Sequence, residues 1–455
     1  MGRTDRFDRR DLLRAAGGGA AVGLGLGLGG RRALAQDGTP EPTPTEIPEV
    51  TVSTPVAGKT NVTWWTHNNT AFVEANKEMI SRFQAANPDI NIVYQYFPYD
   101  IFISKLQAGY NSGTVADVQQ MFGTWVPLYS KFGLLDPVPD DLANGFEDRF
   151  WGASIGAYGL EGKWYGMPKE FNLENGCMLT NPALLEAAGA PDLPTSWDQL
   201  VANAVKATKW DDQKRITQAG FQFTNNDSIT FLFLAMILQQ GATYWADDGV
   251  HVNLQTDAAK KAWQDETDLV VKHHVDDETS YTGQEAFFFQ GKAAMSMRGP
   301  WIIATLQQDY PDLTFDYVNM PPYAGTENKF AAESGWGEVV NAKAAPENKA
   351  AAWKFVDFMA QPDNLRDWNI ATFTIPSIKA LANDPKILEA APKVKAAFDV
   401  LPYGQWVGPV QDRDRFWKSI HDAFTAVCLG KIDAPSALNQ AEQEINAMID
   451  EQVGP

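Results

Sequence analysis

Few residues in this chain stand at spacings that belong to known chemistry. There is no nucleophile elbow, no phosphate loop, no dinucleotide-binding glycine fingerprint and no zinc-spaced set of Cys and His. Five histidines in 455 residues leave little material for imidazole acid–base catalysis. His273-His274-Val275-Asp276-Asp277-Glu278 looks like metal-binding text. Neighbours on a helix project about 100° apart, however, so His273 and His274 do not easily share one ion, and a solvated helix end without metal is the expectation. Glu170, Glu174 and Glu333 lie in Gly- and aromatic-rich text and could supply the two carboxylates of a glycosidase, but their spacing selects no pair. Cys177 and Cys428 are the two cysteines, leaving one disulfide or two free thiols open. Aromatic side chains are plentiful, with 15 Trp, 13 Tyr and 25 Phe, and flat apolar rings with a polar handle suit binding surfaces. The run Asn61-Val62-Thr63-Trp64-Trp65-Thr66-His67-Asn68-Asn69 places two of them on a strand that closes on polar residues.

Those side chains need elements to hold them. Residues 62–66 read as a short strand. A helix follows over 71–87, with Phe72, Ala75, Met79, Ile80 and Phe83 at helical spacing and Asn87-Pro88 as its stop. A second strand over 90–97, a helix over 100–112 ending at Gly113, and a third strand over 117–122 complete the unit. Strands separated by single helices predict a parallel sheet with helices on both faces. Ligands of such sheets sit beyond the carboxyl ends of the strands. That rule puts His67, Asn68 and Asn69 on the same rim as Gly123-Thr124-Trp125. Strand alternation sets Trp65 and His67 on one side and sends Trp64 into the core. The pattern restarts near Gly176, with helices expected over 182–188, 229–240, 257–272 and 345–360 and two more over 416–429 and 435–452.

Length and charge bound the function. A chain of 455 residues accommodates two or three domains. The formal net charge of -20 repels phosphate backbones and argues against nucleic acid as a partner. At the N-terminus, Arg9-Arg10 with Leu12-Leu13-Arg14 precedes an Ala/Gly/Leu/Val stretch and Ala33-Leu34-Ala35, resembling a twin-arginine export signal over 1–35. The next stretch, 36–59, is rich in Pro and Thr and reads as a disordered tether.

Three ordered segments carry a resemblance. Tyr165-Gly166, Pro168, Asn181 and Pro194-Thr195-Ser196-Trp197 match one signature. Gly291-Lys292-Ala293-Ala294-Met295 with Gly299-Pro300-Trp301, and Gly335-Trp336 with Val339 and Ala352-Trp353-Lys354-Phe355, match others. Together they resemble the family 1 extracellular solute-binding proteins, the maltose-binding-protein-like receptors of ABC importers. The resemblance implies an α/β, periplasmic-binding-protein-like fold, with two lobes, a multi-crossing hinge and the ligand in the interlobe cleft. The expected lobes are 60–173 plus 292–335 and 174–291 plus 336–455. The implied function is capture of a mono- or oligosaccharide and its delivery to an ABC-type permease, on the outer side of the cytoplasmic membrane, without enzymatic activity or cofactor. The partners implied are a small carbohydrate and the permease subunits, with the receptor itself a monomer. A receptor for another polyol or a phosphorylated solute, or a secreted glycoside hydrolase, are the alternatives.

A sugar presents C–H faces and a rim of hydroxyls, so aromatic platforms beside planar polar groups are its expected contacts. The resemblance together with the strand-end rule nominates Trp65, His67, Asn68, Thr124, Trp125, Asn172, Trp245, Trp301, Glu333, Trp336 and Arg413 for the cleft. Gly335 and Gly337 flank Trp336 and would let the backbone approach a ligand closely.

Overall fold

A computed structural model describes residues 50–171, 173, 175–277, 286–300, 302–410 and 412–453. The expected export signal, most of the tether, and Asn172, Glu174 and Trp301 lie outside the described residues. Strands β1 (Val50–Thr51), β2 (Thr60–His67), β3 (Ile90–Phe97) and β4 (Val118–Phe122) open the fold, with α1 (Thr70–Ala86) after β2 and α2 (Tyr99–Ser112) after β3. Helix α1 starts at Asn69, whose side chain accepts the Phe72 N–H at 3.2 Å, a cap of the kind that contributes about 1 kcal/mol. It buries Phe72, Ala75, Met79, Ile80 and Phe83, the face that the helical spacing predicts. Helix α2 ends at Gly113 with φ +74, a left-handed stop that glycine adopts without strain.

A small hairpin of β5 (Gly159–Leu160) and β6 (Lys163–Trp164) precedes β7 (Met167–Pro168) and β8 (Glu170–Phe171). The chain then builds a second sheet from β9 (Cys177–Thr180), β10 (Lys209–Trp210), β11 (Ile216–Gln222), β12 (Ala293–Met297) and β13 (Asp316–Asn319), in the order β10-β11-β12-β9-β13. Helices α3 (Trp197–Ala207), α4 (Asn225–Gln239) and α5 (Asp257–Val271) belong to this lobe. After β14 (Phe330–Ala332), β15 (Trp336–Val340) returns to the first sheet, whose order is β1-β3-β2-β4-β15-β7. Helices α6 (Pro346–Ala360) and α7 (Pro362–Thr372) pack on that first lobe, against β2 and α1. Strand β16 (Ile375–Pro376) pairs with β8, and β17 (Gly404–Trp406) pairs with β14. Helices α8 (Arg413–Cys428) and α9 (Ala434–Val453) close the second lobe against α4 and α5. No disulfide forms, since Cys177 and Cys428 are both free thiols.

Two expectations need correction. The first sheet is parallel only across β2, β3 and β4; β1, β15 and β7 run antiparallel to their neighbours. The lobe boundaries also move. Residues 292–335 do not return to the first lobe, because β12 pairs between β11 and β9 in the second sheet. All five of its residues are buried, as a strand covered on both faces requires. The return occurs at β15, and α6 and α7 follow it into the first lobe instead of the second.

The chain passes between the lobes three times, through β8, through β14 into β15, and between β16 and β17. Two of these crossings are joined by a buried ion pair. Lys169, between β7 and β8, meets Glu338 of β15 at 2.7 Å, with both side chains at most 2% exposed. The second Glu338 oxygen accepts the Trp64 indole N–H at 2.7 Å. The Lys169 ammonium also lies 5.1 Å from the Trp64 ring centre and 4.6 Å from that of Trp368. Asn76 of α1 accepts from Trp368 at 2.9 Å and donates to the Tyr94 hydroxyl at 3.1 Å. Next to Lys169, the Glu170 carboxylate accepts the Trp336 backbone N–H at 3.2 Å, tying one crossing to the other. Burial pushes the Glu170 pKa up from 4.5 to about 7, against the opposing pull of that N–H and of Lys169.

Two measurements check this hinge. Glu338→Ala strands the Lys169 charge in the core and is expected to lower the unfolding free energy by about 3–5 kcal/mol in chemical denaturation. Glu170 holds a proton in the folded state that the unfolded chain has already released above pH 4.5. Its contribution is therefore complete below pH 4.5 and lost as pH rises to about 7. Glu170→Gln should flatten that slope, gaining up to about 3 kcal/mol relative to the parent between pH 4.5 and 8. An unchanged slope would mean that the carboxyl is ionised throughout.

Candidate functional site

The carboxyl ends of β2, β3 and β4 deliver His67, Tyr99 and Phe122 to one rim, and Trp125 follows in a short 3-10 turn. Strand β15 begins opposite the end of β4, with Trp336 paired to Phe122. Trp336 is consequently the hub of a ring set. Its ring centre lies 4.6 Å from His67, 5.1 Å from Phe122, 5.4 Å from Trp125 and 6.2 Å from Tyr99. The approach leaves no room for a side chain at position 123, where a Cβ would stand 2.4 Å from the Glu333 carbonyl oxygen. Ser334 takes a left-handed φ of +72, unusual for a residue with a side chain. Its hydroxyl compensates by donating to Ala153 O at 2.7 Å and accepting from Ala157 N–H at 3.1 Å.

His67 supplies a directed polar group. Its Nδ1 accepts the Asn69 N–H at 3.1 Å. Burial, aided by the charge of Lys169, pulls its pKa down from 6.5 to about 3. The ring is therefore neutral at physiological pH and carries its proton on Nε2. That buried Nε2–H has no partner among the described residues, and the same holds for the Gln120 amide nitrogen and the Thr124 hydroxyl. Gln120 is tied to His67 by accepting its backbone N–H at 3.1 Å. Buried polar groups without partners are uncommon in folded proteins, and these three stand together at the end of one sheet.

The second lobe presents a charged wall. Arg413 at the start of α8 donates from Nε and Nη2 to the two Glu333 oxygens at 2.8 and 3.1 Å, and from Nη2 to Asp227 at 2.5 Å. Its guanidinium lies 4.7 Å from the Trp417 ring centre. The Tyr99 phenol, from the first lobe, is within electrostatic reach of Arg413, Asp414, Glu333 and Asp227. The rings and the charged wall thus face one another where the crossings run.

The structure brings His67, Thr124, Trp125 and Trp336 together on the first lobe and Glu333 with Arg413 on the second. Asn68 stands beside His67, partly exposed. Two nominated tryptophans do not join the ring set. Trp65 is buried under α2, donates to Gln95 at 2.8 Å and packs on Phe97. Gly109 makes the space for it, since a Cβ there would lie 3.0 Å from the indole; Trp65 supports Trp125 and Trp336 from below. Trp245 is held on the backbone of the second lobe, donating to Val407 O at 2.9 Å and packing on Gly408. Tyr99, Phe122, Gln120 and Asp227 were not nominated. The strand-end rule applied to β3 finds Tyr99, and applied to β11 finds Asp227 in the first turn of α4.

Comparison with known proteins agrees with this geometry. Residues 78–396 match the family described as bacterial extracellular solute-binding protein. A Brucella abortus protein named as a binding protein is 26% identical over 387 residues, covering 82% of this chain and 89% of its own. The galactooligosaccharide-binding protein of Bacillus subtilis is 22% identical over 393 residues, covering 82% and 86%. The crystal structure of the cyclic alpha-maltosyl-1,6-maltose binding protein from Arthrobacter globiformis superposes with a TM-score of 0.74 at 20% identity, over 87% of this chain and all of that one. With two α/β lobes, three crossings and a family match over most of its length, the chain belongs to the bacterial extracellular solute-binding proteins.

Proposed function

We propose that this protein captures a mono- or oligosaccharide between its lobes and hands it to the permease of an ABC transporter. The observation that carries this reading is the Trp336 ring set with the unpartnered His67 Nε2–H beside it. Rings stack on the C–H faces of a sugar, and a buried N–H that lacks a partner gains a full hydrogen bond from a hydroxyl. Sugar-binding relatives such as the Bacillus subtilis receptor support the same reading. Hydrolysis is not part of it. Glu333, one of the two described candidate carboxylates, is held on both oxygens by Arg413, which leaves it no lone role as a general base. The protein acts as a monomer outside the cytoplasmic membrane, exported by the twin-arginine-like segment and spaced by the Pro/Thr-rich tether.

A thermal-shift screen of mono-, di- and oligosaccharides tests the reading, since a ligand at 100 times its Kd adds about 2.7 kcal/mol of apparent stability. Sugars should raise the melting temperature and be recovered chemically intact. A shift by amino acids or polyamines with none by sugars would overturn the assignment. Trp336→Ala should weaken sugar binding by about 30-fold or more in calorimetry, as loss of a central aromatic contact does. His67→Ala should cost about tenfold, one hydrogen bond's worth. Unchanged affinity in both variants would move the site elsewhere.

A further inference from the structure

Two long helices, α4 and α8, begin at the charged wall. A helix N-terminus offers unpaired N–H groups and the positive end of its dipole, which ordinarily invite an anion. Here the chain sets its own carboxylates at both helix starts. Asp412 caps α8, accepting the Arg415 N–H at 3.1 Å. Asp414 lies in the first turn of α8, its side chain 72% exposed. Asp227 lies in the first turn of α4, its side chain 33% exposed. Glu333 adds a fourth carboxylate at the base of the wall.

The basic groups that flank these carboxylates are committed. Arg413 is spent on Glu333 and Asp227, as described above. Arg415 turns onto Glu451 at 3.0 Å. Lys169 is buried against Glu338. His67, held neutral by its burial, contributes a hydrogen-bond donor and no charge. Tyr99 and Trp336 add aromatic rings, whose faces attract positive charge, and neither adds a cation.

We propose that this cleft, on the carbohydrate reading above, selects by charge: it accepts neutral and amine-bearing sugars and rejects uronates and sugar phosphates, with Asp227 and Asp414 as the discriminating groups. A hydroxyl meets His67 Nε2–H without penalty. A protonated amine meets the open side of Asp227 or Asp414. A carboxylate or phosphate meets the exposed carboxylates of Asp227 and Asp414, while Arg413 is already paired, and like charges repel strongly in a partly dry site. A phosphorylated solute is thereby set apart from the ligands that this wall accommodates.

The test uses the full chain and three matched sets: glucose, glucosamine and glucuronate; galactose, galactosamine and galacturonate; and mannose, mannosamine and mannuronate, with glucose 6-phosphate added. Affinities are measured by calorimetry at pH 7 in low salt and at physiological ionic strength. Within any set that binds, the anionic sugar should be weaker than the neutral one by about tenfold or more, and the amine equal or tighter. The gap should narrow with salt. In Asp414→Asn, an exposed change that leaves packing intact, and in Asp227→Asn, the gap should shrink several-fold. An anionic sugar that binds as well as its neutral counterpart overturns the charge rule and leaves the carbohydrate reading standing. A gap unaltered in both variants removes Asp227 and Asp414 from the role. Binding by none of the ten sugars, with oligosaccharides also inert in the thermal screen, defeats both proposals together.

Discussion

The buried pair of Lys169 and Glu338 is the constraint on which the rest of the molecule hangs. Taking two charges out of water is costly, and their attraction repays it only when the geometry is close and the remaining valences are filled. Every neighbour contributes to that repayment. Trp64 gives an N–H to Glu338, Trp64 and Trp368 lay their ring faces beside the ammonium, and Asn76 bridges Trp368 to Tyr94. Strand β2, helices α1 and α7, and two hinge crossings are thereby fixed to one point. Single steps along the chain from that point reach the cleft: Glu170 follows Lys169, Trp336 stands two residues before Glu338, and His67 three after Trp64. The position of the candidate site is inherited from the position of the ion pair.

Polarity at the cleft is organised differently on its two sides. The first lobe exposes rings and leaves a few donors without partners, so its hydrogen-bonding capacity is held in reserve. At the wall of the second lobe the cation is already engaged, because Arg413 is shared between Glu333 and Asp227. A buried, neutral His67 fits this division, since a charged imidazole beside Lys169 would add repulsion within the hinge.

Much of the first lobe was legible in the sequence. The helical spacing in α1, the strand alternation of Trp64 against Trp65 and His67, and the strand-end rule located the rim that bears His67, Thr124 and Trp125. Trp65 was misplaced because alternation shows which face a side chain takes but not that α2 covers that face, a fact that depends on the absent side chain of Gly109. The lobe boundary failed for a related reason. Ala293–Met297 and Trp336–Val340 are both short apolar strands, and periodicity does not say which sheet a strand joins. The one local sign was Glu338, an acid inside an apolar strand, whose meaning depends on Lys169 far away in sequence. The Arg413 cluster was equally hidden as a cluster, because its members lie 80 and 186 residues apart.

Trp336 occupies two offices at once. Its ring is the centre of the aromatic set, while its peptide N–H holds the Glu170 carboxylate of another crossing. A non-proline replacement there would change the ring set while leaving the peptide N–H on Glu170, so the surface offered to a ligand is separable from the tie between the crossings. Anyone converting this scaffold into a sensor could therefore change its taste at position 336 without cutting the hydrogen bond that joins two of its crossings.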